Sequence, residues 1–382
     1  MKLNLPEAQA FLMVSESEHN ADMYYASGFL AYDSFIYLNS DKDTILISDM
    51  ELGRATKESK VHEVIPTSRF NIMEKIRKNK DADVAYSEMI VEFLQSLNLN
   101  RIAVPYNFPV QLADSLRIAG LEIIPIKSPL REMREIKNKK EIIAIQYAQK
   151  AGEKALAEGI KAIKNASNRG GVLYYENTPL KTEDVRTIID RSLLSLGCEA
   201  PDIIIACGRG SADPHWKGEG AILADEPIVI DMVPRSKKER YYSDMTRTVL
   251  HGIPTDELKD MYKAVLDSQS AAINKIKAGV TGAYIHNIVC DVLEERGYET
   301  ARGKSKEFTE GFTHSTGHGV GLDIHEGPSL SESGKELKAG CVVTVEPGLY
   351  YRSIGGVRLE DVVVVTRNGC KNLTMFEKNL VL

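Results

Sequence analysis

The chain has 382 residues, more than one hydrophobic core usually holds, so we expect two domains. Hydrophobic residues make up 43% of it and charged residues 27%, as in an ordinary globular protein. A net charge of −6 argues against a broad basic face for nucleic acid. No apolar run approaches the roughly 20 residues needed to cross a membrane, and the N-terminus has no signal-peptide core. We therefore expect neither a nucleic acid nor a membrane as a partner.

The cysteines indicate a reducing compartment. Their number is odd and no two of them have a paired spacing, which does not fit a disulfide framework. They are Cys198, Cys207, Cys290, Cys341 and Cys370. We therefore expect a cytoplasmic protein.

Short apolar runs alternate with helical segments between about residues 34 and 125. The runs are Ser34–Leu38, Thr44–Ile47, Arg101–Val104 and Leu121–Ile124, and the clearest helix is Val84–Leu97. This alternation predicts a small α/β domain over residues 1–130. The proline and charged run that follow are typical of a domain link that leads into a helix.

From residue 131 to 382, helices precede clustered strands, the pattern of an α+β domain. One apolar stripe predicts a helix over Lys139–Ile163. Capping residues and glycines predict three more helices, over Thr182–Gly197, Thr255–Gly279 and Thr281–Gly297. Later strands are predicted over Cys341–Val345 and Val362–Thr366.

Two strands, Ile228–Val233 and Tyr241–Leu250, predict a hairpin. If its turn is centred near Lys237 and Lys238, Asp231 lies directly opposite Asp244. Two carboxylates would then share one face of the sheet.

A second acidic pair follows the strand that ends at Val345. With a bend near Ser353, Glu346 faces Glu360 across a hairpin. Because side chains alternate along a strand, Glu360 and Asp361 point to opposite sides. The pattern alone does not decide which of the two carboxylates joins Glu346.

Residues 314–328 contain His314, His318 and His325, three of the eight histidines. The glycines among them favour loop and strand over a zinc-binding helix. Carboxylates at the ends of apolar strands repel one another unless a positive charge lies between them. Any one pair is more simply an exposed hairpin end, but two pairs with a histidine-rich segment predict a pair of metal ions.

These motifs, in this order, resemble the metal-site segments of the "pita-bread" metallopeptidases, which include Xaa-Pro aminopeptidase, prolidase and methionine aminopeptidase. The matching segments are Asp231, Ser243–Thr248, Gly317–Gly321, Val345–Gly348 and Val357–Asp361. The resemblance implies a pita-bread catalytic domain over residues 131–382. It also implies a smaller creatinase/prolidase-type α/β domain before it, which indicates the Xaa-Pro aminopeptidase and Xaa-Pro dipeptidase branch.

The resemblance also assigns roles. It implies two divalent metal ions with a bridging hydroxide as nucleophile, and Glu346 as both ligand and general base. The implied metal ligands are Asp231, Asp244, His318, Glu346 and Glu360, which decides the open choice in favour of Glu360. Oxygen-rich ligation with one imidazole suits manganese or cobalt, with zinc or iron as alternatives.

Four further residues are implied near the reaction. His215 and His325 are expected to contact the substrate and the oxyanion, with His314 as support and Arg358 orienting a metal-bound carboxylate. Trp216, the only tryptophan, either walls this pocket or packs in the core.

The implied reaction is hydrolysis of the bond before proline, in dipeptides or at peptide N-termini. The substrates would be peptides with proline in the second position, and relatives suggest a homodimer. The alternatives are a creatinase-like amidinohydrolase and a non-catalytic interaction protein on the same fold. All five ligand types are present, which argues against both.

One departure from the family pattern is the turn between the two aspartates. The family commonly has a short glycine-containing turn there, whereas this chain has the longer, basic segment Pro234–Arg240. We expect this segment to be a solvated turn that leaves the facing positions unchanged.

Overall fold

The computed structural model describes residues 3–5, 7–304 and 308–382. The chain forms two compact units, residues 1–134 and 135–382, here called the N-terminal and C-terminal units. The boundary predicted from the sequence was at residue 130. No helix among the described residues is long and apolar enough to cross a membrane.

The N-terminal unit contains one six-stranded sheet in the order β4-β3-β2-β1-β5-β6. Its strands are β1 Ala10–Ser15, β2 Phe35–Asn39, β3 Asp43–Ile47, β4 Glu63–Pro66, β5 Arg101–Pro105 and β6 Glu122–Ile126. Its helices are α1 Ala21–Ser27, α2 Leu52–Glu58, α3 Ile72–Asn79, α4 Ala82–Ser96, α5 Val110–Ile118 and α6 Pro129–Glu135, the last of which crosses the unit boundary.

The four strands predicted for this unit are all present, with ends that differ by a residue or two. The helix predicted over Val84–Leu97 is α4, and the side chain of Asp81 caps its N-terminus. Strand β1 was not predicted, although it joins the two halves of the sheet, antiparallel to β2 and parallel to β5. Its residues Ala10 to Met13 are buried on both faces, which removes the alternation that a half-buried strand shows.

The C-terminal unit has four long helices, α7 Lys139–Lys164, α8 Thr182–Ser195, α9 Asp256–Lys275 and α10 Gly282–Glu295. Thr255 and Thr281 cap α9 and α10 as predicted. The prediction that Thr182 caps α8 was wrong. Lys181 precedes the helix, its N–H donates to Asp184 Oδ2 at 3.0 Å, and Thr182 is a buried residue of the first turn.

The strands of this unit form several small sheets. They are β7 Ser167–Arg169, β8 Val172–Tyr175, β9 Thr178–Pro179, β10 Cys198–Glu199, β11 Ile203–Cys207, β12 Ile228–Met232, β13 Arg235–Ser236, β14 Met245–Val249, β15 Gly317–Gly319, β16 Glu326–Leu330, β17 Val342–Val345, β18 Gly348–Tyr351, β19 Gly355–Arg358, β20 Asp361–Val365 and β21 Cys370–Asn372. Three of these sheets hold or adjoin the acids and the histidine that the sequence predicts as metal ligands: β11-β12-β14, β16-β15-β17-β20-β21 and β18-β19.

Two hydrophobic cores support these sheets. One contains residues of α7 and α8 with β11, β12 and β14, and the other contains residues of α9 and α10 with β17, β19 and β20. Each core is therefore a pair of helices packed on strands. All five cysteines are among the described residues and all are free.

A buried ion pair connects strands β14 and β20. Arg247 is 1% exposed and donates to Asp361 Oδ1 at 2.9 Å, while Lys378 and Asn372 donate to Asp361 Oδ2. The guanidinium also donates to the carbonyls of Glu360 and Phe376. Since almost every polar atom has a partner, removing one member leaves the others buried and unsatisfied.

We expect Arg247→Met to lower the free energy of unfolding of the C-terminal unit by about 3 kcal/mol, because it leaves Asp361 buried with fewer partners. Urea unfolding followed by the fluorescence of Trp216, which lies in this unit, measures the change. The control is Lys161→Met, which removes the exposed pair with Glu158. It should change stability by less than about 0.5 kcal/mol. Equal effects of the two substitutions would contradict the importance of the buried pair.

Candidate metal centre

A cavity of about 520 Å³ in the C-terminal unit holds the site. All nine residues predicted to take part line it, together with Asp202, Ile204, Pro214, Val233, Thr313, Ser315 and Ile324. The nine are His215, Asp231, Asp244, His314, His318, His325, Glu346, Arg358 and Glu360. Residues separated by more than a hundred positions are thus brought to one place.

The first hairpin brings two aspartates to this cavity in a register that differs from the prediction. Asp231 pairs with Thr246, so it does not lie directly opposite Asp244. The turn is centred one residue later than expected, which moves the partner by two positions. Because side chains alternate with a period of two, Asp244 still lies on the same face as Asp231, as its diagonal neighbour.

The basic segment that contains this turn is solvated, as expected, only at its centre, where Lys237, Lys238 and Glu239 are exposed. Ser236 pairs with Cys198 of β10, and the side chain of Arg235 is 13% exposed and pairs with Glu199. Arg240, 7% exposed, adopts a left-handed backbone with a φ of 65°. The two ends of the segment are therefore packed against the protein, contrary to the expectation of a turn that is solvated throughout.

The second hairpin has the predicted register. Val345 pairs with Asp361 and Gly348 pairs with Arg358, so Glu346 and Glu360 occupy facing positions between the two ladders. Glu360 lines the cavity, whereas Asp361 points the other way to Arg247. The structure thus separates the two neighbouring acids as strand alternation requires.

His318 lies in the short strand β15, between two glycines that allow neighbouring strands to approach closely. A Cβ at Gly317 would lie 2.2 Å from the carbonyl oxygen of Thr344, and one at Gly319 would lie 2.2 Å from that of Gly327. Nδ1 of His318 donates to the Gly319 carbonyl at 3.1 Å. Nε2 therefore faces the carboxylates, 3.3 Å from Glu346 Oε1 and 3.8 Å from Asp244 Oδ2.

Ligand atoms of Asp244, His318 and Glu360 lie within 4.8 Å of one another. Oδ1 of Asp231 and Oδ1 of Asp244 are buried and have no hydrogen-bond partner among the residues that the structure describes. Buried carboxylate oxygens without partners are costly. A histidine whose other ring nitrogen donates to a carbonyl is also the usual arrangement of a metal ligand. The residues present therefore fit a divalent cation.

The pKa values of the buried acids also fit a site for a divalent cation. Burial raises the pKa of Asp244 well above its ordinary value, and the charges of Asp231 and Glu346 add to the effect. Burial also raises the pKa of Glu360, together with the charges of Asp244 and Glu346. A cation between these groups would oppose both shifts, because it favours the ionised carboxylates.

Glu346 and His318 behave differently because they pair with each other. Burial tends to raise the pKa of Glu346, but the hydrogen bond and charge of His318 outweigh it and lower the value to about 2. Burial tends to lower the pKa of His318, but Glu346 and Asp244 raise it to about 9. The imidazolium of His318 thus supplies one positive charge beside the carboxylates.

A chain of hydrogen bonds supports the site from one side. Arg358 Nη2 donates to Asp231 Oδ2 at 2.6 Å, and Nη1 donates to the Tyr350 hydroxyl at 2.7 Å. The Tyr350 hydroxyl lies 2.9 Å from Nε2 of His314, whose Nδ1 donates to the Ser315 carbonyl. Burial raises the pKa of Tyr350 to about 12 and lowers that of His314, so a neutral phenol donates to a neutral imidazole.

Sequence reasoning missed two residues of this network. The hydroxyl of Thr246 donates to Glu360 Oε2 at 2.8 Å, and Tyr350 links Arg358 to His314. Both were detectable by strand parity, since Thr246 lies two residues after Asp244 and Tyr350 lies four after Glu346. Hydroxyl residues are common in strands, however, so parity alone does not select them.

The remaining predicted residues lie at the mouth of the cavity. His215 and His325 are exposed, and the ring of His325 packs edge-on against His318 with centroids 4.3 Å apart. Partial enclosure of its imidazole ring and the neighbouring His318 lower the pKa of His325. Trp216 is half-buried and lines a neighbouring cavity instead of this one.

Both units of the chain are similar to known proteins. Residues 144–367 match the model of metallopeptidase family M24, and residues 7–136 match that of the creatinase/prolidase N-terminal domain. A Xaa-Pro dipeptidase from Pyrococcus horikoshii is 31% identical over 367 residues, which cover 95% of this chain and 92% of that protein. One from Pyrococcus furiosus is 30% identical and covers 94% of this chain and 92% of that protein.

Solved structures give the same result. A Xaa-Pro dipeptidase from Bacillus anthracis superposes with a TM-score of 0.82 at 27% identity, covering 98% of this chain and 95% of that one. An X-Pro aminopeptidase from Thermotoga maritima superposes with a TM-score of 0.78 at 26% identity, covering 98% of both chains. The chain therefore belongs to metallopeptidase family M24, with a creatinase/prolidase-type domain before its pita-bread domain.

Proposed function

We propose that this chain is a peptidase that hydrolyses the peptide bond before proline, as a Xaa-Pro dipeptidase or aminopeptidase, with two divalent metal ions. The observation that carries the proposal is the cluster of four carboxylates and one imidazole in a single cavity. The relatives named above as Xaa-Pro dipeptidases support the choice of bond. The free cysteines agree with a cytoplasmic protein, and a homodimer remains part of the proposal by analogy.

Asp231, Asp244, His318, Glu346 and Glu360 would hold the ions. Four carboxylates exceed what one divalent ion needs for neutrality, which supports two ions. Oxygen ligands with one imidazole favour manganese or cobalt. When bound, such ions lower the pKa of water and polarise a carbonyl group.

The side chains of the protein would carry out the remaining steps. Glu346, ionised at neutral pH, accepts the proton of the attacking water and passes it toward the leaving nitrogen. The imidazoles of His215 and His325 at the cavity mouth donate hydrogen bonds to the developing oxyanion and the substrate. Arg358 acts through Asp231, whose orientation it holds by an ion pair of 2.6 Å.

Proline is the reason that such an enzyme is needed. Its nitrogen carries no hydrogen in the peptide, so peptidases that bind this N–H recognise the bond poorly. A site that acts on the carbonyl group and the leaving nitrogen has no need of that hydrogen.

Purified protein loaded with manganese or cobalt should hydrolyse Ala-Pro or longer Ala-Pro peptides at least about 10-fold faster than matched peptides with alanine in place of proline. Release of free alanine, measured by chromatography, tests the proposal. The metal-stripped protein is the control. Failure to cleave any Xaa-Pro substrate, short or long, would show the proposal to be wrong.

Asp244→Asn and Glu360→Gln should each reduce metal content and lower kcat/KM by more than about 100-fold, because each removes a charged ligand. Metal analysis of the dialysed protein and the Ala-Pro assay measure the two effects. Glu219→Gln, which changes an exposed acid outside the cavity, is the matched control. If either site variant keeps full activity, the two-metal arrangement is incorrect.

We expect the metal-free protein to lose stability as the pH rises from 6 to 9. Asp244, Glu360 and His318 all have raised pKa values in the folded state. Their contribution to stability is complete below their ordinary pKa values and is lost as the pH rises through the raised ones, about 9 for His318. Glu346 has a lowered pKa, so its contribution is lost only in acid, outside this window.

Urea unfolding at several pH values, in the presence of a chelator, measures this trend. Saturating manganese should abolish the decline, since ionised carboxylates then bind the cation. Glu360→Gln should weaken the decline without metal. A metal-free protein whose stability increases over this range would contradict the origin given for these pKa values.

A further inference from the structure

A second cavity, of about 740 Å³, lies beside the catalytic cavity in the C-terminal unit. Pro214 and Thr313 line both cavities. Each of these residues is followed in the chain by a histidine of the catalytic cavity, His215 and His314. A ligand that extends from the catalytic cavity over this shared wall therefore enters the second one.

The second cavity has aromatic walls. Trp216 and Phe308 line it, and the indole of Trp216 packs on the backbone of Gly210, where a Cβ would lie 2.0 Å from Cζ3. Only glycine permits this contact, so the ring has a defined position. A flat apolar surface of this kind suits the backbone and side chains of an extended peptide.

The cavity also carries positive charge. Arg209 and Arg352 line it and are exposed, and neither guanidinium has an ion pair or hydrogen bond within residues 3–5, 7–304 and 308–382. Acids are near: Asp213 lines the cavity and its Oδ1 accepts from the N–H of His215, and Glu310 Oε1 accepts from the N–H of Arg352. Two guanidinium groups are thus left to pair with a ligand.

The direction of the substrate follows from the proposed function, on which this step rests. A peptidase that releases one residue before proline holds the amino end of its substrate inside the catalytic cavity. Only the part after proline can extend beyond it. The neighbouring cavity is therefore available to the carboxyl side of the peptide.

We infer that the second cavity binds the part of the substrate that follows proline and pairs Arg209 and Arg352 with a carboxylate of the peptide. The carboxylate is either the C-terminus or an acidic side chain, since both offer the same fork-shaped partner to arginine. The chain would then prefer Xaa-Pro peptides longer than a dipeptide.

The test compares kcat/KM of the manganese-loaded protein for Ala-Pro, Ala-Pro-Ala-Ala, the amide of that tetrapeptide, and Ala-Pro-Ala-Glu amide. The tetrapeptide acid should exceed Ala-Pro, and at least one carboxylate-bearing tetrapeptide should exceed the alanine amide by about fivefold, mainly through KM. A higher kcat/KM for the tetrapeptide acid than for its amide identifies the C-terminus as the partner of the arginines. A higher kcat/KM for Ala-Pro-Ala-Glu amide than for Ala-Pro-Ala-Ala amide identifies an acidic side chain.

In the double variant R209Q/R352Q, the ratio of kcat/KM between each carboxylate-bearing tetrapeptide and the alanine amide should be close to one. R367Q, which changes an exposed arginine that lines neither cavity, is the matched control and should keep the ratio of the unsubstituted protein. Because ratios between peptides are compared within one protein, a general loss of activity does not imitate the effect.

The outcomes separate the two proposals. Cleavage of Ala-Pro with equal or poorer cleavage of all tetrapeptides would overturn the inference and leave the proposed function intact. A carboxylate preference that survives in R209Q/R352Q would also overturn it. Cleavage of no Xaa-Pro peptide would overturn the proposed function, and the inference with it.

Discussion

The C-terminal unit depends on one electrostatic constraint, which is the burial of four carboxylates in one cavity. Asp231, Asp244, Glu346 and Glu360 repel one another, since Asp244 and Glu360 are buried and Asp231 and Glu346 are partly buried. The protein opposes this repulsion only in part, through Arg358, which pairs with Asp231, and through His318, which pairs with Glu346. A divalent cation would complete the arrangement, because the negative charge that the protein leaves uncompensated would bind it.

The fold meets this constraint by joining two hairpins edge to edge. The N–H of Glu360 donates to the carbonyl of Thr246 at 3.0 Å, and the hydroxyl of Thr248 accepts from the N–H of Arg358. Strand alternation then separates two charged networks. Glu360 points into the cavity, while Asp361 pairs behind it with Arg247. Two helix pairs on hydrophobic cores hold the strands rigidly enough for such placement.

The loops around the strands hold a different set of residues from the strands themselves. The four clustered acids lie in strands or directly next to them, whereas Arg209, Trp216 and Arg352 lie in connecting segments beside the cavity. Proteins named as dipeptidases and as an aminopeptidase share this fold at similar TM-scores. The fold alone therefore does not decide substrate length, and our inference assigns that choice to the segments beside the cavity.

The sequence by itself determined the α+β fold class and the alternation that puts Glu360 and Asp361 on opposite sides of one strand, because strand parity depends on local spacing alone. The choice of Glu360 as the partner of Glu346 came from the resemblance to a known family. Only the tertiary structure decided the partner of Asp231, the burial of Arg240 and the link from Arg358 through Tyr350. The reason is that these features arise from contacts between elements distant in sequence. A turn packed on another strand shifts its register, and no local pattern records that contact.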